Sequence, residues 1–488
     1  MGITEDTYLN ATINPDFSQV EADRAQLDIN RTFSIFFDEK RPFFLDGSDY
    51  FNSLNRLVHT RDIIEPDYGL KVTGQSGSHS YGAIAVNDAH TSFLLPASQG
   101  SQLVILENVP SQNQILRYNY DFGGKNTLGF LSTHKTSDGY SNQMTSIDGK
   151  YWINESHSIS YQLMHSSNQY SAQMQIDYPI SSSSLHSEPG IDQANIAGNA
   201  YQVDYEYETR EWEAKIQLQR FDRDFRADLG FVGRVDFSKR EIGVKRIWYP
   251  SKQGGWWNKI DLSGKTEYSE DTDGVKLEQS VKSKLKFEGQ YQSNYGLAWV
   301  LRNRLWDQVY FDEKVYVAFG VFEPLAGLRL GVRYRWGDNI DFVNTQLGQV
   351  KSFSPSISWQ VNQNILTSVK YTKQSFDVAQ GELFNASIVN FRLSYLFDER
   401  SSLRWTLQQL DIRKNSVLYN SYLNADPTDN ETPLFKSLAT QLLYTYRVNP
   451  QTLVFAGYSD SGFQDERLSR IRNTDRGVFV KFSYAWQL

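Results

Sequence analysis

Alternation of apolar and polar side chains, sustained in segment after segment, most limits how this chain can fold. Tyr201, Val203, Tyr205 and Tyr207 alternate with Gln202, Asp204, Glu206 and Glu208. Trp212, Ala214, Ile216 and Leu218 alternate with Glu213, Lys215, Gln217 and Gln219. Leu328, Leu330, Val332, Tyr334 and Trp336 oppose Arg329, Gly331, Arg333 and Arg335, and Val389, Phe391, Leu393 and Tyr395 oppose Asn390, Arg392 and Ser394. The chain ends the same way, with Val478, Val480, Phe482, Tyr484, Trp486 and Leu488 on one side. Side chains of an extended strand point alternately to its two faces, so each segment is a strand with one apolar and one polar face. Helical periodicity is scarce. A soluble sandwich also alternates, but it rarely places so many charges on one face while using Tyr and Trp so freely on the other. An aromatic-rich strand ending at the last residue is typical of outer-membrane barrels.

The connections carry a second signal. Counted back from the C-terminus, they alternate short and long. Short ones fall around Asn449-Pro450, Asp398 to Ser401, Asn362 to Asn364, Glu323 to Gly327, Gln290 to Asn294, Thr209 to Glu211, Gly123 to Asn126 and Ser76 to Ser78. Long ones fall around 459–475, 413–436, 374–383, 338–350, 221–240, 167–197 and 89–112. Outer-membrane barrels have short periplasmic turns and long external loops. About 21 runs long enough to span follow Tyr68, and weaker runs at Tyr8 to Asn14, Gln26 to Phe33 and Asn55 to Thr60 raise the expected total to about 24, within a range of 22–26. The expected fold is an all-β, transmembrane, antiparallel up-and-down barrel with both termini periplasmic. Residues 1–54 would hold N-terminal strands and a plug segment, and 55–488 the barrel.

Composition agrees. No run of about 18 apolar residues exists, so no transmembrane helix is expected. A mean hydropathy of −0.53 suits a barrel, in which only alternate strand residues meet lipid. MGITEDTYLN lacks the basic start and apolar core of a signal peptide, which an outer-membrane protein needs, so a mature or truncated form is expected. The net charge of −8, with acids and bases mixed, argues against nucleic-acid binding, and the absence of cysteine fits the cell envelope. Trp248, Tyr249, Trp256 and Trp257, with Trp299, Trp306 and Tyr310, are candidates for interfacial girdles.

The segment Asn14 to Phe51 resembles the bacterial domain of unknown function 5916 family. The resemblance rests on Asn14-Pro15-Asp16-Phe17, Gln19-Val20-Glu21-Ala22-Asp23, Glu39-Lys40-Arg41-Pro42-Phe43-Phe44-Leu45 and Gly47. Asp67-Tyr68-Gly69-Leu70-Lys71 with Thr73-Gly74 continues it. It implies a C-terminal outer-membrane-type barrel behind a family-nine-like carbohydrate-binding domain. That upstream domain is absent from this sequence, and the family supplies no activity to carry over.

A barrel of this size encloses a lumen that would leak unless narrowed. Phe33 to Phe51 mixes charges with aromatics and is expected either inside the lumen, with Glu39, Lys40, Arg41, Phe43 and Phe44 as plug or gate residues, or as a periplasmic loop between strands. The segment 167–197, folded inward, is the second candidate. Asp204, Glu206, Lys215, Arg329, Arg333, Arg335 and Arg392 are expected to face the lumen, either as a selectivity ring or as a solvated wall of ion pairs. Asp222 to Asp228 and Glu270-Asp271-Thr272-Asp273-Gly274 are acidic enough to suggest calcium, but neither matches the twelve-residue calcium loop. Solvated loop tips, with no metal or cofactor, are expected instead. All seven histidines lie in the first 190 residues, without HExxH, and no GxSxG occurs. His157 and His165, near many serines, offer only a weak hydrolase signal. The expected function is an outer-membrane conduit for a polymer, glycan, lipid or polypeptide, with a periplasmic or lipoprotein partner. The alternative is a non-conducting scaffold whose external loops bind a glycan or protein; an outer-membrane hydrolase is the third reading.

Overall fold

The computed structural model describes residues 2–4, 6–13, 27, 29–179, 189–251, 255–418, 433–449, 452–464 and 471–483. One antiparallel sheet of 23 strands holds most of them, each strand paired with the next in the chain, except that His79–Asp88 pairs with Ser111–Asp121 across an intervening two-stranded hairpin. One strand, Gly2–Thr4, has three residues; the other 22 run as an up-and-down meander from Thr7–Ile13 to Arg472–Ser483. The fold is an outer-membrane-type β-barrel.

The two weak runs at Gln26 to Phe33 and Asn55 to Thr60 form no strand among the described residues, which is why the count falls below 24. Their apolar residues are buried inside: Leu57 against the inner wall, Leu27 and Ile29 in an internal apolar cluster. The connection between Thr7–Ile13 and the strand Pro66–Ser76 is therefore one long excursion, and Thr7 pairs with Gly74 while Ile13 pairs with Tyr68. Ile13 and Pro66 both lie at the long-loop rim, and the described part of the excursion, residues 27 and 29–65, folds inward. Residues 33–51 are thus not a loop at the short-turn rim, and the inserted segment continues past residue 54 to residue 65.

Loop sorting holds in part. The spans 338–350 and 374–383 are mostly strand, with tight turns between Asp341 and Gln346 and between Val378 and Gly381. A two-residue turn, 138–139, also lies at the long-loop rim, and the short-turn rim contains a connection of eight residues, 249–256. These strands run to 17 residues, well beyond the roughly 9–11 that span a bilayer.

The outward faces explain the extra length. On the strand His157–Gln169 the outward side chains are His157, Ile159, Tyr161 and Leu163, then His165, Ser167 and Gln169. Its neighbour Asn195–Glu208 places Tyr207, Tyr205, Val203 and Tyr201 beside the first group and Asn199, Ala197 and Asn195 beside the second. On Tyr140–Asn154, Ile153, Tyr151 and Ile147 likewise give way to Thr145, Gln143 and Ser141. The lipid belt therefore hugs the short-turn rim, where Trp256, Phe287 and Tyr295 make ring contacts, as do Tyr395, Phe397 and Tyr444. The wall stands clear of lipid toward the long-loop rim. The outward-facing Val478, Val480 and Phe482 are among the most exposed apolar side chains; Tyr484, Trp486 and Leu488 lie outside the described residues.

Leu163→Arg, within the belt, is expected to lower stability in lipid vesicles by about 2–4 kcal/mol. Ser167→Arg, two steps along the same face, is expected to change it by less than about 1 kcal/mol. Denaturant titration of vesicle-inserted protein measures both, and equal losses would misplace the belt.

Candidate functional site

The interior is filled from one side. At the centre of the inserted segment a polar knot closes on itself. Arg41 donates from Nε to Glu39 Oε1 at 2.8 Å, from Nη2 to Glu39 Oε2 at 2.6 Å, and from Nη1 to the Ile63 carbonyl at 2.6 Å. Thr60 Oγ1 donates to Glu39 Oε2 at 2.7 Å, and the amides of Lys40 and Arg41 both donate to Glu39 Oε1 at 2.9 Å. These bonds stabilise the ionised carboxylate. Although burial acts first and in the opposite direction, they hold its pKa down at about 2. The guanidinium also sits 4.5 Å from the ring centre of Phe44, which is buried.

A latch joins this knot to the wall. Proline at the start of the short helix Pro42–Leu45 suits a first helical turn, and the helix leaves its last carbonyls unpaired within the turn. Lys71, on the inner face of Pro66–Ser76 and 1% exposed, donates its ammonium to the carbonyls of Phe43 and Asp46. Gly47 then turns the chain with φ 64° against Thr73, a left-handed geometry that glycine adopts without strain. Gly69 and Gly82 leave room for rings: a Cβ on Gly82 would lie 2.6 Å from the Phe51 ring, and one on Gly69 3.3 Å from that of Phe43.

Other segments complete the filling. Asn55 donates to Gln162 on the wall at 2.7 and 3.0 Å. The loop between Phe221 and Phe237 also folds inward: Phe225, Ala227, Leu229 and Val235 are buried, and its backbone bonds to the inserted segment from His59 to Leu229 and from Phe231 to Arg56. Asp222 to Asp228 is thus not a solvated loop tip; Asp228 accepts from the Tyr140 hydroxyl inside the protein. The hairpin of Thr91–Pro96 and Ser101–Leu106 packs Phe93, Leu95 and Val104 with Tyr140, Tyr170 and Met174, which brings part of 167–197 into the mouth. The inward loop 222–236 escaped the sequence reading, although alternating Phe225, Ala227 and Leu229 carried a signal that a solvated loop has no use for.

The wall beneath this filling is charged. Lys215 contacts Asp204 at 2.8 Å and Glu206 at 3.3 Å, and Lys150 contacts Glu206 at 3.4 Å. The pairs Lys245–Glu213, Lys265–Glu241, Lys282–Glu267 and Arg302–Glu313, all at 2.7–2.9 Å, continue strand by strand. Arg329, Arg333, Arg335 and Arg392 share the inward face of the adjoining arc, where Arg335 lies within electrostatic reach of Arg302 and Glu313; Arg329 and Arg333 are exposed to the lumen. Asp271 is occupied by the amides of Asp273 and Val275, and Asp273 by Arg223 at 2.7 Å. His157 and His165 lie on the outward face, bonded to Tyr205 at 2.6 Å and Asn199 at 2.9 Å. His186, one of the seven histidines, and the Asn14 to Asp23 motif fall outside the described residues.

Residues 1–69 match the family model of a domain of unknown function, DUF5916. The two motif blocks, Glu39 to Gly47 and Asp67 to Gly74, are the two halves of the latch. No curated protein matches the chain significantly. Among solved structures, the ferric enterobactin receptor PfeA aligns over 80% of this chain and 72% of its own, at 10% identity and a TM-score of 0.53. The FrpB iron transporter from Neisseria meningitidis covers 82% and 68% at 8% identity, with a TM-score of 0.46. Pseudomonas aeruginosa OpdL covers 69% and 94% at 11% identity, with a TM-score of 0.38. The PfeA likeness concerns the barrel fold.

Burial also lowers the His59 pKa, to about 4, where the ring packs 4.8 Å from Phe36 and 5.4 Å from Phe231. A base with a depressed folded pKa favours the unfolded side as pH falls. Up to about 3 kcal/mol of plug stability is therefore lost between pH of about 6.5 and about 4. Glu39 adds a loss between about 4.5 and about 2, while buried Asp62 and Asp228, with raised pKa values, act in the opposite direction. Hydrogen-exchange protection over residues 36–65, corrected for the intrinsic rate at each pH, is expected to fall on acidification in the wild type and less in His59→Phe. Identical pH profiles would remove His59 from the account.

Proposed function

We propose that this protein is an outer-membrane conduit closed by a displaceable plug, with the short-turn rim facing the periplasm. The supporting observation is how the inserted segment is held. Residues 36–65 touch the wall through side chains and single polar bonds, whereas the wall is held by continuous strand pairing. Such a segment can leave without unzipping the barrel. The wall below it, lined by ion pairs, stays hydrated and open to a periplasmic or lipoprotein partner that would act on the latch. The cargo classes that suit a wide barrel are a polymer, glycan, lipid or polypeptide.

The outward placement of His157 and His165 supports a non-enzymatic reading. A non-conducting scaffold remains the competing reading, since the hairpin at Thr91–Leu106 and the extra-membrane wall offer binding surface at the outer mouth.

In planar bilayers the intact chain is expected to conduct weakly. The latch double variant Arg41→Gln with Lys71→Met, and a deletion of 34–54, are each expected to raise single-channel conductance several-fold. If neither variant passed current while both still migrated as folded barrels, the conduit reading would fail in favour of the scaffold.

A further inference from the structure

One arc of the inner wall differs from the rest. Five consecutive strands make up this arc, Leu328–Asp341, Gln346–Gln360, Ile365–Val378, Gly381–Leu396 and Ser401–Lys414, and the last four carry an apolar cap near the long-loop rim, formed by Val350, Phe376, Phe384, Ala386, Ile388 and Ile412. Below the cap their inward positions turn polar and cationic. Register aligns Arg329, Ser358, Ser368 and Arg392 in one rung, and Gly331, Ser356, Lys370 and Asn390 in the next. Arg333 faces Ser354, whose hydroxyl lies 3.0 Å from that of Thr372. Arg335 and Arg404 lie on the same face. Among the described residues, no carboxylate occupies an inward strand position between the short-turn rim and the cap on this arc.

A wall that only needed to be wet would mix signs, as the adjoining arc does. There, cations meet carboxylates from Lys150–Glu206 to Arg302–Glu313. Here Arg329, Arg333 and Lys370 stand exposed to the lumen, with serine, threonine and asparagine hydrogen-bonding groups between them. Guanidinium forks match carboxylates, and the hydroxyls and amides between them match sugar hydroxyls. Arg329 and Lys370 are two strand spacings apart, roughly 10 Å, so the surface is long rather than point-like. We propose that this arc is a binding strip for an acidic oligosaccharide. The assignment names the cargo of the conduit proposed above and rests on that reading for passage, though not for binding.

The test is calorimetric titration of the full chain in detergent, where binding is read without conduction. The probes are a short oligogalacturonate, neutral maltohexaose and inorganic tripolyphosphate. Oligogalacturonate is expected to bind, and maltohexaose to bind at least about tenfold more weakly. Arg329→Gln/Arg333→Gln/Lys370→Gln should weaken oligogalacturonate at least about tenfold, while Lys265→Gln in the ion-pair ladder leaves it unchanged. Unaltered heat-modifiable gel mobility confirms that the triple variant still folds; if it does not, Arg329→Gln alone is expected to weaken binding severalfold. Equal binding of the neutral sugar, or no effect of the substitutions, overturns the strip. Tripolyphosphate binding as tightly as oligogalacturonate, with the same dependence on the substitutions, overturns the sugar assignment. Binding without bilayer current upholds the strip and refutes the conduit.

Discussion

Lys71 joins wall and plug. Its ammonium is withdrawn from water on the inner face of a barrel strand, and burial of an unpaired charge there would be costly. Two carbonyls at the end of a single helical turn offset that cost, and they are groups that a short helix leaves over. Each side supplies what the other lacks. Glu39, Arg41 and Thr60 then fix the chain that presents the turn, so the knot shapes the plug and the lysine docks it.

The same contact explains why two sequence blocks some twenty residues apart read as one signature. Pro42 starts the turn, Gly47 ends it in a left-handed conformation, and Gly69 admits the Phe43 ring. A side chain at Gly69 would press on that ring, and the loss of Lys71 would leave two carbonyls facing an apolar wall. The pattern is specific because its residues meet across a gap that the chain must cross twice.

The barrel itself was legible because lipid and water impose opposite demands on alternate residues, and Leu328 to Trp336 against Arg329 to Arg335 records both. Strand ends were less legible. Beyond the belt, outward residues such as His165 and Ser167 meet water, so the polar contrast that marks a strand disappears and its tip reads as loop. Asn55 to Thr60 misled for the converse reason: its apolar residues are buried by packing on the wall, without any strand partner. The latch lay in plain sight as residue types, Glu39, Lys40, Arg41, Phe43 and Phe44, but nothing local in the sequence indicates that Lys71 reaches back to meet them.

The plug also fills the lumen unevenly, and this follows from where it enters. It descends between the first two long strands and packs on the arc from Pro66 to Phe237, so that arc can be apolar inside: Ile84, Ile115, Leu131 and Met144 are all buried. Among the described residues, the far arc carries the cap near its rim, and below it Arg329, Arg333 and Lys370 are exposed. A hydrated wall has no packing reason to exclude acids, and the arc from Arg302 back to Lys150 pairs nearly every cation it carries. The one-signed arc from Arg329 to Arg404 therefore pays an electrostatic cost that folding alone does not require, since like charges on neighbouring strands repel. A fold that bears such a cost places the exposed Arg329, Arg333 and Lys370 where a negative ligand would lie.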